Sequence, residues 1–245
     1  MIVRLRETTS TMKDAAALAA KGEPHGTAVM ANVQTAGIGR HGHHWHSEDK
    51  GGLYLSIVLR LEIAPALTLA LGLAVQRALN DVADVPTDLR WPNDVLLNNR
   101  KLAGILAQST EGAVIAGIGL NVNQSEFPPD LAEIATSLRI ETGREHSKDA
   151  LAERIIAESL RYTMLGKQDI LRRFEENSTW TQGKSVVVDD KIRGVTAGLD
   201  ENGFLLVQTP EKLETIMAGG VRDARQIGNL PARRQPRVNG AQPCE

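Results

Sequence analysis

Around Trp180 the chain changes character, and that change limits the folds open to it. Upstream, helical and strand patterns alternate. Downstream, residues 185–188, 193–199, 204–208 and 213–217 read as short strands, with turn pairs at Asp189-Asp190 and Asn202-Gly203 and no room for a helix. About 45 residues of this kind suit a small β-barrel attached to a larger unit. From Gly228 on, the composition is Pro, Gly, Asn, Gln and Arg with almost nothing apolar to bury, which predicts a disordered tail. The expected organisation is an α+β unit over residues 1–180, a barrel over 181–227 and a tail over 228–245.

Within the first unit, residues 10–22 read as a helix, with Thr11-x-x-Asp14 as a capping box and Gly22 as its stop. Residues 27–33 and 53–61 read as strands, the second alternating Leu53, Leu55, Ile57, Leu59 and Leu61 with Tyr54, Ser56, Val58 and Arg60. Between them lies a polar stretch of 19 residues, 34–52, rich in Gly and His. A loop that long inside a compact unit usually has a function. Residues 65–82 are too uniformly apolar for a surface helix and predict a buried one. Strands follow at 89–91 and 95–97, then a turn at Asn98-Asn99 and a hairpin of 102–109 and 113–122 around Glu111-Gly112. Ser147 opens a helix to about 165, and a shorter one reaches about 177.

Composition removes several classes of function. Lys and Arg number 28 against 30 Asp and Glu, so the formal charge of −2 offers no bulk attraction to nucleic acid or anionic lipid. No apolar run is long enough to span a bilayer, and residues 1–7 do not form a secretory signal. One cysteine, Cys244, excludes disulfides, a multi-cysteine zinc site and, in a polar tail, a catalytic thiol. A reducing cytoplasm is the default location.

Motif by motif, the polar stretch and the strands after it have competing readings. Gly37-Ile38-Gly39-Arg40-His41-Gly42 has the dinucleotide-binding spacing, but no apolar helix follows, so a mobile loop carrying Arg40 toward an anion competes with a solvated loop. His41, His43, His44 and His46 lack the fixed spacing of a metal site. Gly183-Lys184-Ser185 lacks the upstream glycine of a phosphate loop and reads as a strand start. Arg90-Trp91-Pro92-Asn93-Asp94 stops a strand and presents Asn93 and Asp94 at its end, either as site residues or as an Asx turn. Lys101 opens an apolar strand in which Gly104 permits close approach of a ligand; a surface lysine is the simpler reading. Gly117 and Gly119 share one strand face, leaving either a shallow groove beside Asn121 or a bend.

Taken in order, Ser10-Thr11, Gln34 through Gly42, Trp45, Arg90 through Asp94, Lys101-Leu102-Ala103-Gly104-Ile105-Leu106 and Gly117-Ile118-Gly119-Leu120-Asn121 resemble the biotin protein ligases over about residues 7 to 225. The resemblance implies a mixed sheet with flanking helices like the class II aminoacyl-tRNA synthetase catalytic domain, plus a small SH3-like barrel. It also implies a two-step reaction. Biotin and ATP, with Mg2+, give biotinyl-5′-AMP, which then biotinylates a lysine of the biotin carboxyl carrier domain of a carboxylase. By the same resemblance Lys101, Arg40 and Asp94 are catalytic. Ser10, Thr11, Gln34, Gly37, Lys101, Gly104, Gly117 and Gly119 bind biotin, and Arg40, Trp45, Asn93 and Asn121 bind the nucleotide. No metal ligand is assigned. Asp94 is left between contacting magnesium and accepting the proton of the incoming lysine.

Two departures from the family pattern stand out. Ile38 occupies a position where arginine is common, and histidines replace basic residues at 41, 43 and 44, which predicts weaker and pH-sensitive loop closure. The competing functions are a lipoate–protein ligase and a noncatalytic biotin-binding module. A DNA-binding helix-turn-helix of the kind carried by larger family members has no room ahead of residue 10. The resemblance admits a homodimer formed through an exposed sheet edge.

Overall fold

The computed structural model describes residues 1–42, 45–47 and 51–225; of His41 only the backbone is considered. The strands are β1 (Ile2–Thr8), β2 (Ala28–Gln34), β3 (Gly52–Leu59), β4 (Asp88–Arg90), β5 (Asp94–Leu97), β6 (Arg100–Thr110) and β7 (Ala113–Asn121). They form one seven-stranded sheet in the order β1-β2-β3-β7-β6-β5-β4. Only the β1–β2 pairing is parallel, so the sheet is mixed. The helices are α1 (Thr11–Ala20), α2 (Pro65–Ala83), α3 (Leu138–Thr142), α4 (Lys148–Tyr162) and α5 (Lys167–Glu176). Beyond them β8 (Gln182–Val188), β9 (Ile192–Leu199), β10 (Leu205–Gln208), β11 (Leu213–Ile216) and β12 (Val221–Asp223) build a separate antiparallel sheet in the order β11-β10-β9-β8-β12.

Both faces of the large sheet are covered. On one, Leu53, Leu55, Ile57 and Leu59 of β3 pack with the apolar residues of α2 and α4. On the other, Met12, Ala15 and Ala19 of α1 pack on Val29, Val58 and Ile115. Every residue of β3 is therefore buried, and the alternation read from the sequence divides two cores rather than inside from outside. α1 has ten residues, about 15 Å, so it covers only part of its face. The glycine-bearing ends of β6 and β7 lie beyond Met12 on that same face.

Some local expectations are corrected. Strand β1, unforeseen, pairs with β2 because the short helix α1 serves as a parallel crossover. The capping box at Thr11 and Asp14 does not form. Ser10 is the N-cap without a side-chain cap bond, and Asp14 Oδ2 instead accepts from Thr8 Oγ1 at 2.6 Å. Strand β12, also unforeseen, completes the second sheet beside β8. The long buried helix, the hairpin β6–β7 and the Ser147 cap are observed as expected. Gly22 ends α1 at φ 85°, where glycine is favoured. Histidines 43 and 44 and the tail 228–245 lie outside the described residues.

One hydrophobic core runs through both sheets. Leu89 and Trp91 belong to the same cluster as Trp180, Val186, Leu205 and Val207. Trp91 Nε1 donates to the Gly203 carbonyl at 2.9 Å, and Ser178 Oγ donates to the Leu89 carbonyl at 2.5 Å. No helix among the described residues is long and apolar enough to cross a membrane.

Candidate active site

A register shift in the β5–β6 ladder creates the charged part of the site. Val95 pairs with Ala103 but Leu96 pairs with Lys101, so β6 carries one extra residue there. A bulge reverses the side-chain alternation of its strand. Leu102 and Ala103 both enter the core with α2, and Lys101 is turned onto the face of Gly104. Asp94, paired with Gly104, meets it there: Lys101 Nζ lies 2.6 Å from Asp94 Oδ1. Arg90 takes the other oxygen, with Nη2 at 2.6 Å and Nε at 3.2 Å from Asp94 Oδ2. Burial opposes the charge on Asp94, yet Lys101 and Arg90 outweigh it and hold the pKa down at about 2. Asp94 is thus a fixed anion that orients Lys101 and is a weak base.

Arg40 approaches from the other side, on a single 3-10 turn, Arg40–Gly42. Its Nη1 donates to Asn93 Oδ1 at 3.1 Å and to the Gly219 carbonyl at 3.3 Å. Asn93 is pinned in turn, because its Nδ2 donates to the Ile105 carbonyl at 3.0 Å and its carbonyl accepts from Ile105 N at 2.9 Å. Burial lowers the Arg40 pKa, against the pull of Asp94 and Asp189. Lys101 and Arg90 thus pair directly with Asp94, while Arg40 feels its charge from farther off. Ile38, where arginine is common in the resembling family, is 38% exposed.

Next to this charged cluster lies a neutral one at the start of α1. Ser10, Thr11 and Gln34 are buried. Gln34 Oε1 accepts from Thr11 N at 2.9 Å and from Thr11 Oγ1 at 3.0 Å, and Thr11 Oγ1 also lies 2.8 Å from Ser56 Oγ. Ser10 Oγ is buried without a hydrogen-bond partner among the described residues. An unpaired buried hydroxyl is rare unless a ligand or water completes it. The backbone link Gln34 N to Ser47 O and the Ser47 Oγ bond to Gln34 O tie this cluster to the loop.

The glycines do not leave an empty groove. The indole of Trp45 lies where side chains on Gly104 and Gly119 would stand, and the thioether of Met12 where one on Gly117 would stand. Trp45 is fixed by its N–H to the Gly37 carbonyl at 3.0 Å, its ring lies 5.2 Å from Lys101 Nζ, and its Nε1 is buried without a partner among the described residues. Gly37 in turn has no space for a side chain against Ser47 Oγ and the Trp45 carbonyl. Asn121 Nδ2 reaches the Lys101 carbonyl at 3.5 Å, and its Oδ1 accepts from Gln124 Nε2 at 3.2 Å. The Trp45 ring therefore forms the wall of the face at Gly104 and Gly119.

The residues assigned to the site from the sequence thus lie at the start of α1 (Ser10, Thr11), on β2 (Gln34), on the loop after it (Gly37, Arg40, Trp45) and on or just before β5, β6 and β7. Arg90, quoted within its motif but given no role, proves to be the second partner of Asp94. Ser56 stands in the sequence only as part of the alternation of its strand, and Ser47 and Gly219 carry no signal there, since a lone serine or glycine has none. No group of three His, Cys, Asp or Glu side chains among the described residues could hold a metal ion.

A profile of the Biotin/lipoate A/B protein ligase family matches residues 4–125, and one of the biotin protein ligase C-terminal domain matches residues 183–221. The biotin--[acetyl-CoA-carboxylase] ligase of Mycobacterium tuberculosis is 38% identical over 230 residues, covering 88% of this chain and 86% of its own. The chain belongs to the biotin protein ligase family. Another member, the bifunctional ligase/repressor BirA of Bacillus subtilis, is 34% identical over 87% of this chain and 71% of its own. The biotin protein ligase of Aquifex aeolicus, solved in complex with biotin and ATP, superposes with a TM-score of 0.80 at 31% identity, covering 91% of this chain and 99% of that one. As in that family, a mixed α+β sheet precedes a separate antiparallel sheet.

Proposed function

We infer that this chain is a ligase that uses ATP to attach biotin to a lysine of a carboxylase carrier domain through biotinyl-5′-AMP. The observation that carries it is the neutral cluster of Ser10, Thr11 and Gln34 lying beside the cations Lys101 and Arg40. A neutral ureido ring and an ionised carboxylate need those two surroundings at the two ends of one ligand. Relatives are named for this reaction, and one structure holds both biotin and ATP.

In the first step a biotin carboxylate oxygen attacks the α-phosphorus of ATP and pyrophosphate leaves. Two anions must meet, so Lys101, aimed by Asp94, neutralises the carboxylate and Arg40 the α-phosphate. In the second step the carrier lysine's neutral amine attacks the acyl carbon, AMP leaves with the C–O electron pair, and a proton is lost. Trp45 and the loop of residues 37–42 shield the adenylate from water, and Asn93 and Asn121 line the nucleotide end. Magnesium enters as part of MgATP: both oxygens of Asp94 are occupied by Lys101 and Arg90, so this carboxylate does not suit a metal.

The finer structural reading is a catalytic unit of residues 1–180 like that of class II aminoacyl-tRNA synthetases, with an SH3-like unit over 181–227. Cytoplasmic residence and homodimerisation through an outer strand of the large sheet belong to the same proposal. Supplied with MgATP, the protein is expected to release pyrophosphate with biotin and not with lipoate or octanoate, and to label a carrier-domain lysine. Ser10 Oγ, buried without a partner among the described residues, costs about 1–3 kcal/mol when a dithiolane leaves it unpaired. Equal turnover of lipoate would overturn the choice of substrate, and tight biotin binding without pyrophosphate would favour a binding module.

A further inference from the structure

We infer that Asp189, in the turn between β8 and β9, is a positioning residue for Arg40 and so ties the second sheet to the loop over the adenylate. The inference rests on the role given to Arg40 above. Asp189 and Asp190 stand at φ 47° and 60°, a left-handed conformation that L residues adopt reluctantly. From that turn the Asp189 side chain reaches back to the segment before β12, where Oδ1 accepts from Gly220 N at 2.6 Å. The Asp189 N–H donates to the Gly220 carbonyl at 3.1 Å, so the clamp has two bonds.

Gly219 is confined from both directions. Its φ is 141°, and a side chain there would stand 2.8 Å from Asp189 Oδ2 and 2.9 Å from Val188 Cγ1. A peptide held this way aims its carbonyl in one direction, and the Gly219 carbonyl is the acceptor 3.3 Å from Arg40 Nη1. The same Nη1 donates to Asn93 Oδ1, so Arg40 is suspended between the turn before β5 and the segment before β12. A half-buried guanidinium gains from having its donors satisfied, and the negative charge of Asp189 adds long-range support against the cost of burial.

The test uses the purified full chain and follows two quantities: pyrophosphate formation, and escape of biotinyl-5′-AMP read as labelling of bystander lysines on an inert protein. Asp189→Gly removes the carboxylate but suits the positive φ, so the turn is not strained further. It is expected to raise escape about fivefold, the worth of one hydrogen bond. Asp189→Asn, which keeps an acceptor for Gly220 but loses the charge, should lie between that and the parent chain. In the background of Arg40→Gly, removing Asp189 should add nothing.

A parental rate of escape in Asp189→Gly, or effects that multiply in the double variant, would overturn the inference. Parental escape in Arg40→Gly would instead strike the role of Arg40 itself, and the inference with it. Should Asp189→Gly also lower the melting temperature, the double variant still decides. A general loosening adds to the effect of Arg40→Gly, whereas loss of a shared contact does not.

Discussion

Asp94 shows how much one side chain can be committed. With each oxygen paired to a cation, it can neither gather a proton nor bind a metal without giving up a partner. What it gives Lys101 is direction. Lys101→Ala is therefore expected to reduce biotin-dependent pyrophosphate exchange by several orders of magnitude in a chain that still folds, at some cost in melting temperature because Asp94 keeps only Arg90 as its cation. Near-parental exchange would remove Lys101 from the chemistry. A second expectation follows from the folded pKa of about 2, below the ordinary carboxylate value. A depressed carboxylate stabilises the fold above its unfolded pKa near 4, and that contribution fades as the pH falls through about 2. Asp94→Asn should thus cost about 2 kcal/mol near neutral pH, with the gap to the parent chain narrowing below pH 4. Urea unfolding of both proteins at pH 7 and pH 3 measures it, and a gap of constant size would show that the ion pairs contribute no pH-dependent stability.

At the scale of elements, the site exists because two neighbouring strands depart from regular side-chain packing. The bulge of β6 turns Lys101 to the working face, and the glycines of β6 and β7 admit the Trp45 ring to within contact of the sheet. Gly119→Ala places a methyl group in the space of the indole, and overpacking of this kind costs about 1–3 kcal/mol. Trp45 lies outside the strand ladder, so the ring should be the part that moves. Biotin affinity is then expected to fall by about tenfold or more while the sheet persists, a split that calorimetric titration and circular dichroism can read separately. Unchanged affinity would mean that biotin does not lie against Trp45. The glycines themselves were legible in the sequence, and so was their shared face. That their space is taken by Trp45 and Met12 was not, because both come from segments distant in the chain.

Across the whole molecule the two sheets share a core, which bears on the boundary expected near residue 180. Trp91 donates to Gly203, and Gly203 packs between Leu69 of α2 and Leu171 of α5. Removing the chain after residue 180 would leave the Trp91 N–H without its acceptor and uncover apolar surface on α2. Such a truncation is expected to lower stability by several kcal/mol, counted as about 25 cal/mol per Å² of apolar surface uncovered. The intact chain should unfold in one transition, with tryptophan fluorescence and far-ultraviolet circular dichroism coinciding. Two separated transitions, or a truncated chain of full stability, would show that residues 1–180 stand alone.

The sequence by itself determined the buried helix α2, the hairpin β6–β7 and the change to short strands after Trp180. These follow from apolar periodicity and turn residues, which act over a few neighbours. It also pointed to the residues of the site, through ordered motifs whose resemblance to one family named the chemistry. It did not reveal β1 or β12, since a short strand is specified by the partner it pairs with. The bulge was equally hidden: apolar Leu102 and Ala103 suit a regular strand as well as a bulged one, and only pairing with β5 sets the register. The partnership of Asp94 with both Lys101 and Arg90, and the clamp of Asp189 on the peptide that meets Arg40, were decided by tertiary structure alone. Electrostatic and hydrogen-bond contacts depend on distance in space, and residues 40, 93, 189 and 219 become neighbours only once both sheets have closed on their common core.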